Sequence, residues 1–233
     1  MGCWVSLCSA DGFRPSAYRA EPDGPARGGV VLLHEVQGVN GHIRNVADRL
    51  AAEQFAIVAP ALFDRVMTGV DLGYSPEYVE RGRELAKSAS REQMLDDVDA
   101  AIGALHGLDV AVMGFCLGGD LAYLAAVQLS GISASVCYYG GGIAALGKLT
   151  PKAPVLLHFG EHDRHIPVEA VEALHRAQPA LDIHLYPAGH GFNCDERGSY
   201  DPASAQLAWK RSLDFLRQRL PSSGGRQATL APH

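Results

Sequence analysis

Short apolar runs alternating with helix-periodic segments predict an α/β fold, a mostly parallel central sheet with helices on both faces. Two local observations strengthen this. Residues 110–113 form an apolar run that reads as a buried strand, and residues 120–129 follow as a helical run ended by Gly131. Between them lies Gly114-Phe115-Cys116-Leu117-Gly118, a strand-to-helix turn of the G-x-nucleophile-x-G kind with Cys in the central place. Such a nucleophile elbow lifts its central side chain over a helix N-terminus, where the helix dipole favours a thiolate. An isolated cysteine is most often a small buried hydrophobe. The paired glycines and the strand-helix context make Cys116 a candidate nucleophile instead.

The other elements follow in order. Residues 4–8 and 16–20 read as short strands around the turn Asp11-Gly12. Residues 21–29 are a Pro/Gly-rich connection, and 30–33 a buried strand. From Gly41 a helix is predicted, because Ile43, Val46, Ala47 and Leu50 follow helical spacing. A strand at 55–59 is stopped by Pro60, and 61–75 carry few regular features. Ser75 and Pro76 supply the N-cap and first position of a helix. Ser90 and Gln93 have capping-box spacing for another, reaching about His106.

After the elbow comes a strand at 133–139 and then Gly140-Gly141-Gly142. That triplet fails the G-x-G-x-x-G pattern because position 145 is Ala, so no nucleotide site is predicted. A strand at 155–159, a helix from Pro167 to about Ala177, a strand at 183–186 and a helix capped by Asp201-Pro202 complete the alternation. Residues 1–220 are expected to form one domain, and 221–233 a disordered tail.

The 233 residues suit one large α/β domain, and 47% hydrophobic with 20% charged residues is ordinary for a soluble globular chain. A net charge of −6 without a basic block argues against a nucleic-acid partner. No apolar run approaches a membrane span, and no signal peptide is recognisable. The five cysteines are odd in number and widely spaced, which suits a reducing compartment, so a cytoplasmic location is expected. Met1-Gly2-Cys3-Trp4-Val5-Ser6 formally fits a myristoylation pattern, but residues from Trp4 onward read as a strand and lipidation is not expected. A monomer is favoured, although the oligomeric state is not legible.

A cysteine nucleophile needs a base and a group that orients the base. Asp163 lies in Gly160-Glu161-His162-Asp163, directly after one predicted strand, and His190 lies in Gly189-His190-Gly191 after the next. Parallel strands share their carboxyl ends, so both loops fall at the same sheet edge as Cys116. The chain order nucleophile, acid, His is that of a triad in which His190 takes the thiol proton and Asp163 fixes the imidazole tautomer. Taken singly, Asp163 reads as a turn residue and His190 as a loop His; Glu161 and His162 are the rival acid and base. A metal site from His158, His162 and His165 is conceivable. With no H-E-x-x-H motif or cysteine pair behind it, no metal is expected.

His34-Glu35-Val36-Gln37-Gly38-Val39-Asn40 follows the first parallel strand. Together with the elbow, Tyr138-Tyr139-Gly140, the Asp163 loop and Ala188-Gly189-His190-Gly191-Phe192, it resembles the dienelactone hydrolase family over nearly the whole chain before the tail. The resemblance implies an α/β-hydrolase fold and hydrolysis of a small, anionic enol-lactone through an acyl-enzyme, without metal or cofactor. It implies that Glu35 takes up the thiol proton when substrate arrives, and that the backbone N–H groups of Val36 and Leu117 form the oxyanion hole. On the residues alone, Glu35 could instead be a buried partner for a nearby arginine or a backbone amide. The family's substrate-gripping Arg, four residues after the catalytic His, is Cys194 here, and the nearest arginine is Arg197. Arg81 or Arg83 would supply a second. A general carboxylesterase or thioesterase on the same scaffold is the alternative, and a non-catalytic binding protein the more distant one.

Overall fold

The structure is a computed structural model and describes residues 2–146 and 148–221. Eight strands form one sheet: β1 (Cys3–Ser6), β2 (Ser16–Ala20), β3 (Gly28–Leu33), β4 (Phe55–Pro60), β5 (Val110–Phe115), β6 (Ile132–Tyr138), β7 (Val155–Gly160) and β8 (Asp182–Tyr186). Their spatial order is β1-β2-β4-β3-β5-β6-β7-β8. β1 and β2 run antiparallel to their neighbours, and every pair from β4 to β8 is parallel. Strands β3, β4, β5 and β7 are buried along their whole length, which is why they read as continuous apolar runs rather than alternating ones.

Six helices cover the sheet: α1 (Gly41–Ala52), α2 (Pro76–Ser88), α3 (Arg91–Gly103), α4 (Leu117–Gln128), α5 (Val168–Ala177) and α6 (Pro202–Arg219). Three of their starts were legible as caps. Ser75 accepts from Tyr78 N, Ser90 from Gln93 N and Asp201 from Ser204 N, each satisfying an orphan first-turn donor. Helix α4 has no side-chain cap, starts at Leu117 rather than at the expected Asp120, and is almost wholly apolar because it lies buried directly behind the elbow.

The boundaries differ from expectation in small ways. β1 stops at Ser6, β3 starts two residues early at Gly28, and β6 ends at Tyr138. Pro60 is the last residue of β4 and stands opposite Ala17, an end position where its missing N–H is tolerated. A short 3-10 turn, Ile143–Leu146, follows the glycine triplet and had no sequence signal. The predicted tail lies outside the described residues from 222 onward. No helix among the described residues is long and apolar enough to cross a membrane.

Helix α2 packs unusually close to the loop after β3. A Cβ on Gly82 would lie 2.1 Å from the Val36 carbonyl oxygen, so any side chain there would push helix and loop apart. Glycine in a helix interior costs about 1 kcal/mol relative to Ala; here it allows α2 to wall the pocket beside Val36.

Candidate active site

Cys116 stands between β5 and α4 with φ 52° and ψ −113°, a left-handed conformation strained for a side-chain-bearing residue. The surrounding packing holds it there. A Cβ at Gly114 would lie 2.0 Å from the Gly118 carbonyl oxygen, and one at Gly118 would lie 2.3 Å from that of Leu33. Strand and helix can therefore cross this closely only with glycine at both places. Cys116 N donates to Tyr138 O, and Gly118 N donates to His34 O, tying the elbow to the strands on either side.

His190 bridges the other two predicted residues. Its Nδ1 lies 2.7 Å from Asp163 Oδ2 and its Nε2 lies 3.2 Å from Cys116 Sγ. Asp163 is buried, and its other oxygen accepts from His165 N at 2.8 Å. Burial works against an imidazolium, but the hydrogen bonds to Asp163 and Cys116 outweigh it and raise His190 to about 10. For Asp163, burial pushes the carboxyl up, and the hydrogen bond and charge of His190 bring it below its ordinary value. Such an arrangement can hold a thiolate beside an imidazolium, the reactive form of a cysteine nucleophile. The rivals are elsewhere: Glu161 and His162 are exposed, and no bond to Cys116 or His190 involves them.

A cleft of about 520 Å³ opens over this group, lined by Val36, Val79, Arg83, Cys116, Leu117, Asp120, Gly141, Gly142, His165, His190 and Arg197. Size alone does not mark the site. A cleft of about 580 Å³ beside Trp4, Arg44 and Asp64 holds no nucleophile-base pair. Leu117 is the first residue of α4, so its N–H is one of the helix's orphan donors. Val36 faces the same cleft. Its loop is fixed by His34, whose Nε2 accepts from Leu62 N at 3.1 Å, leaving the proton on Nδ1 to donate to Glu35 O at 2.5 Å. Burial lowers His34 to about 4, which keeps it in this neutral form.

Glu35 is brought to an arginine and not to the thiol. Its carboxylate is buried, and Arg197 Nη1 lies 3.7 Å from Oε1; neither oxygen accepts a hydrogen bond among the described residues. The Arg197 guanidinium also lies 5.2 Å from the Tyr74 ring centroid. Arg197 thus reaches the pocket despite standing three residues beyond Cys194. Cys194 is buried, and burial with the nearby Glu35 charge raises its thiol to about 12. Arg83 lines the pocket mouth. Arg81 does not; it is exposed and pairs with Glu84 at 3.0 Å.

The sequence trio His158, His162 and His165 is not assembled, because His158 is buried at the back of β7 between Tyr186 and Ser212. A different group, His42, Cys194 and Asp195, brings its ligand atoms within 4.8 Å of one another and is the only set among the described residues that could hold a metal. Sequence reading also missed Asp120 on the pocket wall and Tyr74 beside Arg197, and it named His165 only as a metal-ligand candidate and not as a pocket residue. The acid four places after Cys116 was a usable signal for Asp120; the other two carried none.

The dienelactone hydrolase family model matches residues 16–220. The chain is 35% identical to a Synechocystis sp. relative over 88% of this chain and 92% of that one. It is 30% identical to carboxymethylenebutenolidase 1 of Cupriavidus pinatubonensis, over 91% and 95% of the two chains. A crystal structure from Klebsiella pneumoniae superposes with a TM-score of 0.80 at 32% identity, covering 94% of this chain and 98% of that one. A dienelactone hydrolase-like promiscuous phosphotriesterase from metagenomic libraries shares the fold, with a TM-score of 0.72 at 22% identity over 94% and 98% of the two chains.

Proposed function

The chain belongs to the dienelactone hydrolase family of carboxylic ester hydrolases, and from its site we infer that it cleaves a small ester or lactone through an acyl-enzyme on Cys116. One observation carries this reading: His190 within hydrogen-bond reach of both Cys116 and Asp163. The thiolate attacks the substrate carbonyl carbon. The oxyanion that forms is met by the N–H groups of Val36 and Leu117, a pair of preorganised donors worth a few kcal/mol together. The tetrahedral species collapses, the C–O bond to the leaving oxygen breaks, and His190 Nε2–H protonates that oxygen. His190 then deprotonates a water, which hydrolyses the thioester and restores the thiolate. Asp163 holds the imidazole in the tautomer that both transfers require.

The substrate carries a carboxylate in this reading. Arg197 sits at the pocket with Glu35 as a distant partner, and Arg83 at its mouth. A planar guanidinium suits a carboxylate better than it suits the bare Glu35 at 3.7 Å. When substrate draws Arg197 away, Glu35 is left as a buried, unpaired carboxylate, which favours its taking the proton of the resting thiol to give the thiolate beside the imidazolium; it returns that proton to the thiolate when the product leaves. The chemistry calls on no metal or cofactor.

Thiol alkylation is expected to label Cys116 and abolish ester hydrolysis, and Cys116→Ala to be inactive. Full hydrolysis by Cys116→Ala would overturn Cys116 as the nucleophile, and a wild type no faster than Cys116→Ala would leave a binding role.

A further inference from the structure

The loop that carries His190 also carries a second group of reactive side chains. His42 stands in the first turn of α1, and Cys194 and Asp195 stand in the loop after β8. One ligand atom from each lies within 4.8 Å of the others. His42 and Cys194 are buried, and Asp195 is exposed. His42 is poorly satisfied for a buried histidine. Its Nε2 has no hydrogen-bond partner among the described residues, and its Nδ1 faces Asp195 Oδ1 at 3.4 Å. The ring is nonetheless fixed, edge-on to Phe115 with 6.2 Å between centroids.

That 3.4 Å is the spacing of two ligands on one tetrahedral zinc ion. Bonds of about 2.0–2.1 Å at the tetrahedral angle hold two N or O ligands about 3.3–3.4 Å apart, and a thiolate, with its bond of about 2.3 Å, about 3.6 Å from either. Cys194 Sγ, within 4.8 Å of both, has on the order of 1 Å to close. The sulfur also has an outer partner. Asn40 Nδ2 donates to the Tyr74 hydroxyl at 3.1 Å, which leaves the Tyr74 proton to bond Cys194 and to support a thiolate there. A plain ion pair between His42 and Asp195 is the other reading of the spacing. It leaves Cys194 without a part and sets an imidazolium at the positive N-terminal end of α1. Zinc with one thiolate and one carboxylate is neutral in sum, so the same helix end does not oppose it.

Entry does not pass through the active-site pocket. A separate cleft of about 380 Å³, walled by Asn193, Asp195, Tyr200 and Trp209, reaches Asp195 from outside. Arg49 on the same wall is held over the Trp209 ring, 4.1 Å from its centroid. We propose that His42, Cys194 and Asp195 form a zinc site, its fourth position open to water, that clamps the turn between His190 and Arg197 to α1. The Cys194 thiol proton leaves to solvent as the sulfur binds zinc. The turn is tied at both ends. Cys194 N donates to Gly191 O, Arg197 N donates to Cys194 O, and a Cβ on Gly191 would collide with the Arg197 guanidinium. The metal therefore steadies the loop that bears the base without being a ligand of Cys116.

The test uses the full chain carrying Cys116→Ala, because Cys116 and His190 together offer a thiol and an imidazole that would also draw zinc. Calorimetry is expected to give one zinc ion per chain. Cobalt in its place is expected to show a thiolate-to-metal charge-transfer band and the visible bands of a tetrahedral ion. Adding Cys194→Ser should abolish the charge-transfer band. Adding Asp195→Asn, at an exposed position where folding is not at stake, should weaken zinc binding at least about tenfold. Zinc at a hundredfold excess over Kd should raise Tm by about 5–10 °C, and that rise should shrink in Asp195→Asn. Absence of a cobalt–thiolate band, or a band and a zinc affinity that survive both substitutions, would overturn the proposal. None of these readouts depends on turnover, so they decide the zinc site whatever becomes of the hydrolase reading. Chelated wild type is expected to keep its kcat on any ester it hydrolyses, since the site lies off the reaction path. Activity lost on chelation and restored by zinc would overturn the separation of the two sites.

Discussion

Two buried carboxylates show how differently one group can be used. Asp97 on α3 is fully buried and saturated. Arg65 donates to it from Nε and Nη2, the latter at 2.8 Å, and Ser9 Oγ lies at 2.5 Å. Arg65 is held in turn by Asp11 at 2.6 Å and stacks on Phe13. Glu35 is equally buried, yet its one ionic partner stands at 3.7 Å and neither oxygen accepts a hydrogen bond among the described residues. A closed network locks the β1–β2 turn, the long loop after β4 and α3 into one arrangement. An under-satisfied one is costly at rest and can be relieved by a ligand. A carboxylate left short of partners next to Val36 of the pocket wall therefore points to function, whereas a saturated one far from the pocket points to stability.

Three measurements would break or sharpen that contrast. The largest effect is expected at the closed network. Asp97→Ala strips Arg65 of one of two partners in a buried pair, a loss of about 3 kcal/mol and roughly 6–12 °C in Tm. Its kcat on an ester substrate, measured below the transition, should stay within a factor of two. A variant as stable as wild type would show that the network does not bear on stability.

Glu35→Gln is expected to behave in the opposite way. Tm should change little or rise, since a neutral amide is easier to bury than an ill-paired charge. Hydrolysis of a carboxylate-bearing ester should fall about 100-fold, the lower range for loss of a proton acceptor. Unchanged kcat in Glu35→Gln would reduce Glu35 to a partner of Arg197, the reading its residue type also allowed.

The smallest effect concerns a third carboxylate, Asp163, which is saturated and belongs to the proposed triad. Its partner His190 has a folded value of about 10, above the unfolded value near 6.5. The stability it contributes is therefore complete below about pH 6.5 and lost as pH rises through about 10. Asp163 is lowered, so its own share is present above about pH 4 and lost as pH falls through its folded value. Chemical denaturation across pH 7–10 should show stability falling toward the alkaline end. In Cys116→Ala, which removes one of the two hydrogen bonds holding the imidazolium, that loss should begin at lower pH. Identical alkaline limbs in both proteins would mean that Cys116 does not bias the charge of His190.

The sequence by itself determined the strands of the sheet, the capped helix starts and the elbow. It also determined which sheet edge would carry Cys116, Asp163 and His190. The physical reason is that each of these is written locally. Period and length of the apolar runs give buried strands, caps lie within three residues of what they cap, and parallel strands put successive βα loops at one edge whatever the loop contents. The pairings that tune the site were not written locally. Ser9 meets Asp97 across 88 positions, and Arg65 meets it across 32. Arg197 finds Glu35 and Tyr74, Asp120 finds the turn at Gly142, and Arg81 turns away toward Glu84 while Arg83, two places on, faces the cleft. A side chain's partner at such separations is set by how α2, α4 and the loop after β8 pack over the sheet edge. That packing decides which of several equivalent charges is desolvated beside the thiol, and hence what the pocket can recognise.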